Sequence, residues 1–160
     1  IDKLSAQPFT RQAQMITWMP NIDCDCYDPP CLQSLWYRIL EDEDGIYWLN
    51  SNIRFRSNDA WGANFMNMFG FVQFNKEVIA AGVAKKTGRL VKLGRLNWQA
   101  DSFHIYGKDL KSAKERLFDR IVDMPFEERT LNFNDEFIRE MYDQAEAQVI
   151  KKIKTFDESR

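Results

Sequence analysis

One long segment constrains the fold of this chain more than any other. Between Asp59 and Gly88, apolar and small residues recur at helical spacing over a length typical of a helix. The recurring positions are Ala60, Ala63, Asn64, Asn67, Met68, Phe71, Val72, Val78, Ile79 and Val83. Because they cover more than one face, we predict a long buried helix. Gly88 is suited to end it, since glycine adopts the left-handed conformation common at helix ends.

Strand-like patterns lie on both sides of this helix. Before it, aromatic and aliphatic residues interleave with polar ones, which is typical of a strand with one solvent-facing or ligand-facing side. An acidic turn at 41–45 separates two of these runs. The predicted strands are 14–18, 31–40 and 46–55 before the helix, and 90–98 and 102–106 after it.

Two further helices are predicted in the last third of the chain. Residues 109–122 form an amphipathic pattern, and Asn134 is a candidate N-cap for a final helix. The apolar stripe of that helix is Ile138, Met141, Ala145, Val149 and Ile153. Strands and helices mix without strict alternation, so we predict an α+β fold. A mixed sheet would pack against the long buried helix and the amphipathic helices, in one domain over residues 1–160.

Charge and composition narrow the function. Lys and Arg number 22 against 24 for Asp and Glu, so no overall field favours nucleic acid, and local arginines must hold any anion. We find no apolar run near the roughly 18 residues of a membrane span and no signal peptide. Three clustered cysteines indicate reduced thiols in the cytoplasm rather than disulfides. The chain does not begin with Met, and we expect an N-terminal part to be missing.

Cys31 is the first candidate for chemistry. It follows two prolines, and a proline pair fixes the backbone ahead of a thiol, as a nucleophile requires. The alternative is a buried structural cysteine. Cys24, Cys26 and Cys31 also form a Cys-x-Cys-x4-Cys cluster, and thiolates bind zinc. Structural zinc usually takes four ligands and the one histidine lies far away in sequence, so we predict no metal site.

Two further clusters are polar. Arg54 and Arg56 face one side of a strand ahead of a helix start, where guanidinium groups and backbone donors hold anions. Such an arginine also favours the thiolate form of a nearby cysteine. The alternative is a solvated edge with an ion pair to Asp59. His104 and Tyr106 alternate along a strand and face one way, which suits a sugar hydroxyl; the alternative is a histidine satisfied within the core.

Together these motifs resemble the thymidylate synthase family. The matching strings are Pro8-Phe9-Thr10-Arg11 followed by Trp18, Pro29-Pro30-Cys31, Arg56-Ser57-Asn58-Asp59, Asn67 and His104-Ile105-Tyr106. The neighbouring residues, such as Leu32 after Cys31, are closest to the divergent archaeal-type branch of that family. The resemblance implies a two-layer sandwich and makes this chain the C-terminal catalytic portion. A catalytic Glu and a phosphate-loop arginine are then expected in the missing part.

The resemblance also implies a role for each matching residue. Cys31 adds, as a thiolate, to C6 of the pyrimidine. Arg56 binds the nucleotide phosphate close to that sulfur, and Ser57 makes a further phosphate contact. Arg11 reaches across a homodimer interface and contacts the nucleotide phosphate bound in the partner subunit. Asn67 recognises uracil, since its amide accepts from N3–H and donates to O4.

On the sugar and cofactor sides, His104 and Tyr106 bond the 3′-hydroxyl of the deoxyribose, and Asp59 meets the pterin of the folate. The implied reaction is reductive methylation of dUMP to dTMP, with 5,10-methylenetetrahydrofolate as carbon and hydride donor and no metal. Two alternatives stay open. A pyrimidine nucleotide 5-hydroxymethylase acting on dCMP, CMP or dUMP would use the same thiol addition and water in place of hydride. A non-catalytic relative would only bind the nucleotide.

Overall fold

The computed structural model describes residues 1–130, 132 and 134–158, with the side chains of the last helix described as far as residue 152. The chain divides into two compact units, Ile1–Leu110 and Lys111–Arg160. Every predicted site residue lies in the first unit. The prediction of a single domain over residues 1–160 stays a prediction.

The first unit contains a four-stranded mixed sheet. In spatial order, its strands are β1 (Ala13–Ile16), β2 (Leu32–Glu41), β3 (Tyr47–Asp59) and β4 (Val91–His104). β2 pairs antiparallel with β1 and β3, whereas β3 and β4 run parallel. Gly45, with a φ of 75°, lies in the tight turn between β2 and β3, where the acidic turn was predicted. The predicted mixed sheet and α+β class are confirmed.

β4 is one long strand, so the prediction of two short strands at 90–98 and 102–106 is wrong. Its register against β3 shifts by one residue between Leu49 and Ser51. Gly94 lies at this bulge, where a Cβ atom would come within 2.8 Å of Asn50 Oδ1. Past the bulge, the core-facing positions change from 91 and 93 to 96, 98 and 100. The extra residue therefore allows apolar side chains from both halves of β4 to point toward the core.

α1 (Asp2–Ala6) and the long helix α3, which runs from Asn64 to Thr87, pack against one face of this sheet. α1 and α2 (Pro20–Asp23) are short and were not predicted. α3 contains a π-helical segment, Phe74–Ala80, between two α-helical ones. Gly88 ends it in the left-handed conformation, with a φ of 69°, as predicted. The core residues shared by α1, α3 and the sheet are Leu4, Leu35, Tyr37, Ile39, Tyr47, Leu49, Ile53, Phe55, Ile79, Ala80 and Val83.

α3 differs from its prediction at its start and in its burial. Asp59 is still the last residue of β3, and its carboxylate accepts a hydrogen bond from the backbone N–H of Trp61 at 3.0 Å. The resulting turn delays the helix until Asn64. Met68 and Val78, predicted among the buried positions, are 36% and 43% exposed. α3 is therefore amphipathic, with its fully buried residues along the side that faces the sheet.

The second unit is helical where the structure describes it. After a 3₁₀ turn at Gly107–Asp109, α4 runs from Leu110 to Ile121, close to the predicted 109–122. The last helix, α5, spans Glu136–Glu158. Asn134 is not its N-cap, because helical bonding begins with Arg139 N–H donating to the Asp135 carbonyl. In the predicted apolar stripe, Ile138 is buried but Met141 and Val149 are exposed; the side chain of Ile153 lies outside the described residues.

Within the part of the chain that the structure describes, no helix has the length and apolar character needed to cross a membrane.

Candidate active site

Several predicted site residues converge where β3 and β4 end and α3 begins. The two strands run parallel and end side by side, with Asp59 opposite His104 as their last pair. The first turn of α3 follows at Asn64. The carboxyl ends of parallel strands, together with a helix N-terminus, are a common ligand position because backbone donors gather there. Tertiary pairing thus joins two motifs that are distant in sequence.

Arg56 binds the loop that carries Cys31 through three hydrogen bonds. Its backbone N–H donates to the carbonyl oxygen of Cys31 at 2.8 Å. Its guanidinium donates from Nε to the carbonyl of Pro30 at 3.1 Å and from Nη2 to that of Pro29 at 2.6 Å. Because the prolines restrict the backbone and Arg56 belongs to the central strand β3, the loop is tied to the sheet. Cys31 is exposed with a free thiol, so the alternative of a buried structural cysteine is wrong.

The guanidinium of Arg56 retains capacity for another ligand. Of its five N–H bonds, the two hydrogen bonds to the proline carbonyls use two, which leaves three for a further acceptor. Arg54 differs, because its guanidinium is bound to the carboxylate of Asp101, with Nη2 2.9 Å from Oδ2. The ion pair at this edge therefore involves Arg54 and Asp101, and the alternative of a pair with Asp59 is wrong.

Asp59 caps the turn between β3 and α3 as an ionised carboxylate. The backbone N–H of Gly62 makes the largest contribution to lowering the pKa of Asp59, and that of Trp61 adds to it, although partial desolvation opposes the shift. His104 and Lys108 lower this pKa further through their charges. Gly62 must be glycine for this approach, since a Cβ atom there would lie 2.5 Å from Asp59 Oδ2.

Three asparagine amides form a chain beside this turn. Asn67, in the first turns of α3, donates from Nδ2 to Asn58 Oδ1 at 3.2 Å. Asn58 is 3% exposed and donates from its own Nδ2 to Asn64 Oδ1 at 2.8 Å. Only Asn67 was predicted as a site residue. Asn58 belongs to the matching string around Arg56 and Asn64 to the predicted helix, but neither was given a role in the site, because their link to Asn67 depends on how β3 meets α3.

His104 and Tyr106 are in contact, although only His104 belongs to β4, which ends there, and Tyr106 lies beyond the strand. Their rings meet edge to face, with centroids 4.9 Å apart. His104 is half-buried and its Nδ1 lies 3.4 Å from the hydroxyl of Ser102, whereas Tyr106 is exposed. The pair therefore borders solvent, and the alternative of a histidine buried in the core is wrong. Both ring edges can offer hydrogen bonds to a polar ligand.

Within its own chain, Arg11 does not lie with the predicted site residues at the ends of β3 and β4. It lies just before β1, at the edge of the sheet opposite β4, and it is exposed. Its backbone carbonyl accepts a hydrogen bond from the indole Nε1 of Trp36 at 2.9 Å. Cys24 and Cys26 are exposed free thiols in the loop between β1 and β2. Among the described residues, no group of three or more metal-binding side chains is present.

The sequence of this chain is similar to sequences of known proteins. No protein-family model matches the chain. A protein named "Putative thymidylate synthase" from Methanothermobacter marburgensis is 31% identical over 115 residues, which cover 72% of this chain and 46% of that protein. One of the same name from Methanocaldococcus jannaschii is 34% identical over 111 residues, covering 66% and 45%. The chain thus spans less than half the length of the curated relatives it matches.

Solved structures of thymidylate synthases have a fold similar to that of this chain. Thermostable thymidylate synthase A from Bacillus subtilis aligns with a TM-score of 0.55 at 21% identity, covering 71% of this chain and 37% of that one. Thymidylate synthase from T4 phage aligns with a TM-score of 0.55 at 20% identity, covering 71% and 36%. The chain therefore has a thymidylate synthase-like fold and is similar in sequence to archaeal proteins that carry that name. The resemblance identified from the motifs is confirmed.

Proposed function

We propose that this chain is the nucleotide-binding and catalytic part of a thymidylate synthase, which methylates dUMP reductively to dTMP with 5,10-methylenetetrahydrofolate. The observation that carries the proposal is the exposed thiol of Cys31 on a loop that Arg56 holds by three hydrogen bonds. The archaeal relatives and the shared fold support it. We infer a cytoplasmic setting from the reduced cysteines.

Cys31 would act as the nucleophile. Its thiolate adds to C6 of the uracil, so that an S–C6 bond forms and the electron pair of the C5–C6 double bond makes C5 nucleophilic. C5 then attacks the one-carbon unit, for which the folate supplies both the carbon and the hydride. Loss of the C5 proton then breaks the carbon–nitrogen bond to the folate and leaves a methylene group on C5. Hydride from the folate adds to this methylene as the Cys31 sulfur departs, which restores the C5–C6 double bond and yields the methyl group and dihydrofolate. An exposed thiol held at one place meets the geometric need of the first step.

Arg56 would have two tasks. It positions the Cys31 loop through the carbonyls of Pro29 and Pro30, and its three remaining N–H bonds bind the nucleotide phosphate. Ser57, the next residue of β3, adds a hydroxyl donor to that phosphate. One side chain would thus place the nucleophile relative to the anchored end of the substrate.

The remaining residues would select the base, the sugar and the folate. Asn67 presents its amide to uracil, and the contacting pair of His104 and Tyr106 binds the 3′-hydroxyl of the deoxyribose. Asp59 is ionised at neutral pH, because backbone N–H groups lower its pKa, and can accept from N–H groups of the pterin. These side chains lie around one end of the parallel strand pair.

Arg11 supports a homodimer. It lies at the sheet edge opposite β4, away from the other proposed site residues of its own chain. A phosphate contact from Arg11 would therefore be made in the site of a second copy. The bond from Trp36 to the Arg11 carbonyl would hold this segment in place for that purpose.

Covalent labelling tests the nucleophile. We expect 5-fluoro-dUMP with methylenetetrahydrofolate to add one nucleotide with its attached folate to the protein, because C5 carries fluorine in place of the proton whose loss releases the folate. Intact mass would detect this adduct, and peptide mapping would locate it on Cys31. Cys31→Ser should abolish the adduct. Cys26→Ser, which changes another exposed thiol of the same loop, should leave it unchanged. An adduct that persists in Cys31→Ser, or none in the wild type, would contradict the proposal.

The role of Arg56 has a matched test. Arg56→Lys keeps the charge but cannot bond two carbonyls at once, and we expect labelling of Cys31 to slow by roughly 10–100-fold. Arg54→Lys changes the neighbouring arginine, whose partner is Asp101, and should change the rate less than about twofold. Equal effects of the two substitutions would remove Arg56 from its positioning role.

Product analysis separates methylation from hydroxymethylation. We expect tritium release from C5-labelled dUMP, with thymidylate as the product, and none from dCMP or CMP. Release from a cytosine nucleotide alone, or a 5-hydroxymethyl product, would identify a hydroxymethylase instead. No release from any of the three would leave a nucleotide-binding protein.

A further inference from the structure

The chain of three amides beside the proposed site contains a residue that Asn67 depends on. Asn58 accepts from Asn67 Nδ2 at 3.2 Å and donates to Asn64 Oδ1 at 2.8 Å. Asn58 is 3% exposed, so water has little access to replace either bond. Its amide is therefore held at both ends, by a carbonyl oxygen on one side and an amide nitrogen on the other.

The orientation of the Asn67 amide decides which base it can pair with. Uracil presents a donor at N3–H and an acceptor at O4, whereas cytosine presents an acceptor at N3 and a donor at its 4-amino group. A side-chain amide satisfies either edge, but only in one of two orientations related by half a turn about its terminal torsion. A freely turning asparagine would accept both bases, so discrimination requires that something fix the turn.

We infer that Asn58, supported by Asn64, fixes the Asn67 amide in a single orientation and so makes the site selective for uracil over cytosine. With one N–H of Nδ2 donated to Asn58, the remaining N–H and Oδ1 of Asn67 are held in fixed places, so the amide can pair with only one of the two base edges, which the proposed function assigns to uracil. Turning Asn67 would bring its Oδ1 against Asn58 Oδ1, two acceptors without a hydrogen between them. This inference rests on the proposed role of Asn67 in base recognition.

Asn58 cannot relieve that clash by turning itself. If it turned, its own Oδ1 would face Asn64 Oδ1, and a second pair of acceptors would meet in place of the 2.8 Å hydrogen bond. All three amides would have to turn together to restore the bonds. Asn58 is thus a positioning residue, and the helix start at Asn64 is the support that holds it.

Binding of dUMP and dCMP to the protein, measured by calorimetry, tests the inference through the ratio of the two dissociation constants. We expect the wild type to favour dUMP by roughly 10–100-fold, as one well-placed bidentate contact does. Asn58→Leu removes the acceptor at similar size, and the ratio should fall to within about threefold of unity, because Asn67 can then turn. Asn58→Asp keeps an acceptor for Asn67 and should retain most of the preference.

Two further variants keep the test decisive. Asn64→Ala, at a half-buried position, removes only the support of Asn58, so its ratio should lie between wild type and Asn58→Leu even if the latter folds poorly. Asn52→Leu, an asparagine of the same strand outside the amide chain, should leave the ratio unchanged. A loss of structure alone would weaken both nucleotides equally and would not move the ratio.

The outcomes also distinguish this inference from the proposed function. If the wild type binds dUMP and is labelled at Cys31, but Asn58→Leu and Asn64→Ala keep the wild-type ratio, the inference is overturned and the proposed function stands. If the wild type binds neither nucleotide and no label reaches Cys31, the proposed function fails and the inference falls with it.

Discussion

A buried polar network links α3 to the sheet and offers the sharpest test of the fold. The Tyr37 hydroxyl donates to Asn75 Oδ1 at 2.9 Å, and Asn75 Nδ2 donates to the Ser51 hydroxyl at 3.0 Å. All three residues are at most 3% exposed. Asn75 lies in the π-helical segment of α3, so the network joins the irregular part of the helix to β2 and β3.

Tyr37→Phe removes one hydroxyl from this network and little else. An average hydrogen bond contributes about 1 kcal/mol net, but a substitution that leaves a buried acceptor such as Asn75 Oδ1 without a donor costs about 1–3 kcal/mol. We therefore expect the free energy of unfolding to fall by about 2 kcal/mol. Adding Asn75→Leu, which removes the stranded amide as well, should cost less than the sum of the two single substitutions.

Because of the same network, we expect the free energy of unfolding to decrease at high pH. Burial raises the pKa of Tyr37 above its ordinary range. The folded state therefore keeps the phenolic proton where the unfolded chain releases it. The stabilisation is complete below the unfolded pKa of about 10 and is lost as pH rises beyond it. The difference in stability between wild type and Tyr37→Phe should accordingly shrink as pH rises above about 10.

Urea denaturation followed by tryptophan fluorescence suits this measurement, because all five tryptophans lie in the unit that holds the network. Tyr27→Phe is the matched control, since the Tyr27 side chain is fully exposed and should change stability by less than about 0.5 kcal/mol. A Tyr37→Phe variant as stable as Tyr27→Phe, or a stability difference between them that does not depend on pH above about 10, would contradict a stabilising role for the Tyr37 hydroxyl.

Three further predictions concern glycines and a carboxylate. Gly88→Ala should destabilise by about 1 kcal/mol, because φ is 69° there, whereas Gly70→Ala, in open space within α3, should stabilise by about 0.5–1 kcal/mol in thermal denaturation. The pKa of Asp59 is lowered in the folded state, so Asp59 should stabilise the fold above about pH 4, and this stabilisation should be lost as pH falls through the folded pKa. Asp59→Asn should therefore make the free energy of unfolding depend less on pH in this acidic range. Gly62→Ala should push the Asp59 carboxylate from its backbone donors and return its pKa toward the usual value in an NMR titration.

Periodicity along the chain predicted the longer helices and most of the strand residues, but not the short helices α1 and α2. The alternation in 46–55 and the helical spacing that ends at Gly88 depend on local geometry, so β3 and the C-terminal end of α3 could be predicted. The motifs around Cys31 and Arg56 could be identified for a similar reason, because each is a short string whose residues stay neighbours in any fold. The thymidylate synthase-like fold followed from their order.

Tertiary structure decided what those motifs contact. The single strand β4 depends on a bulge at Gly94 that forms only against Asn50, and the late start of α3 depends on the pairing of Asp59 with His104. The three bonds from Arg56 to the Cys31 loop require β2 and β3 to be in register. Such contacts are set by long-range pairing, whose free energy comes from burial and hydrogen bonds between distant segments. A pattern along one segment contains no information about its partner, so Asn58, the residue proposed to orient Asn67, became visible only in three dimensions.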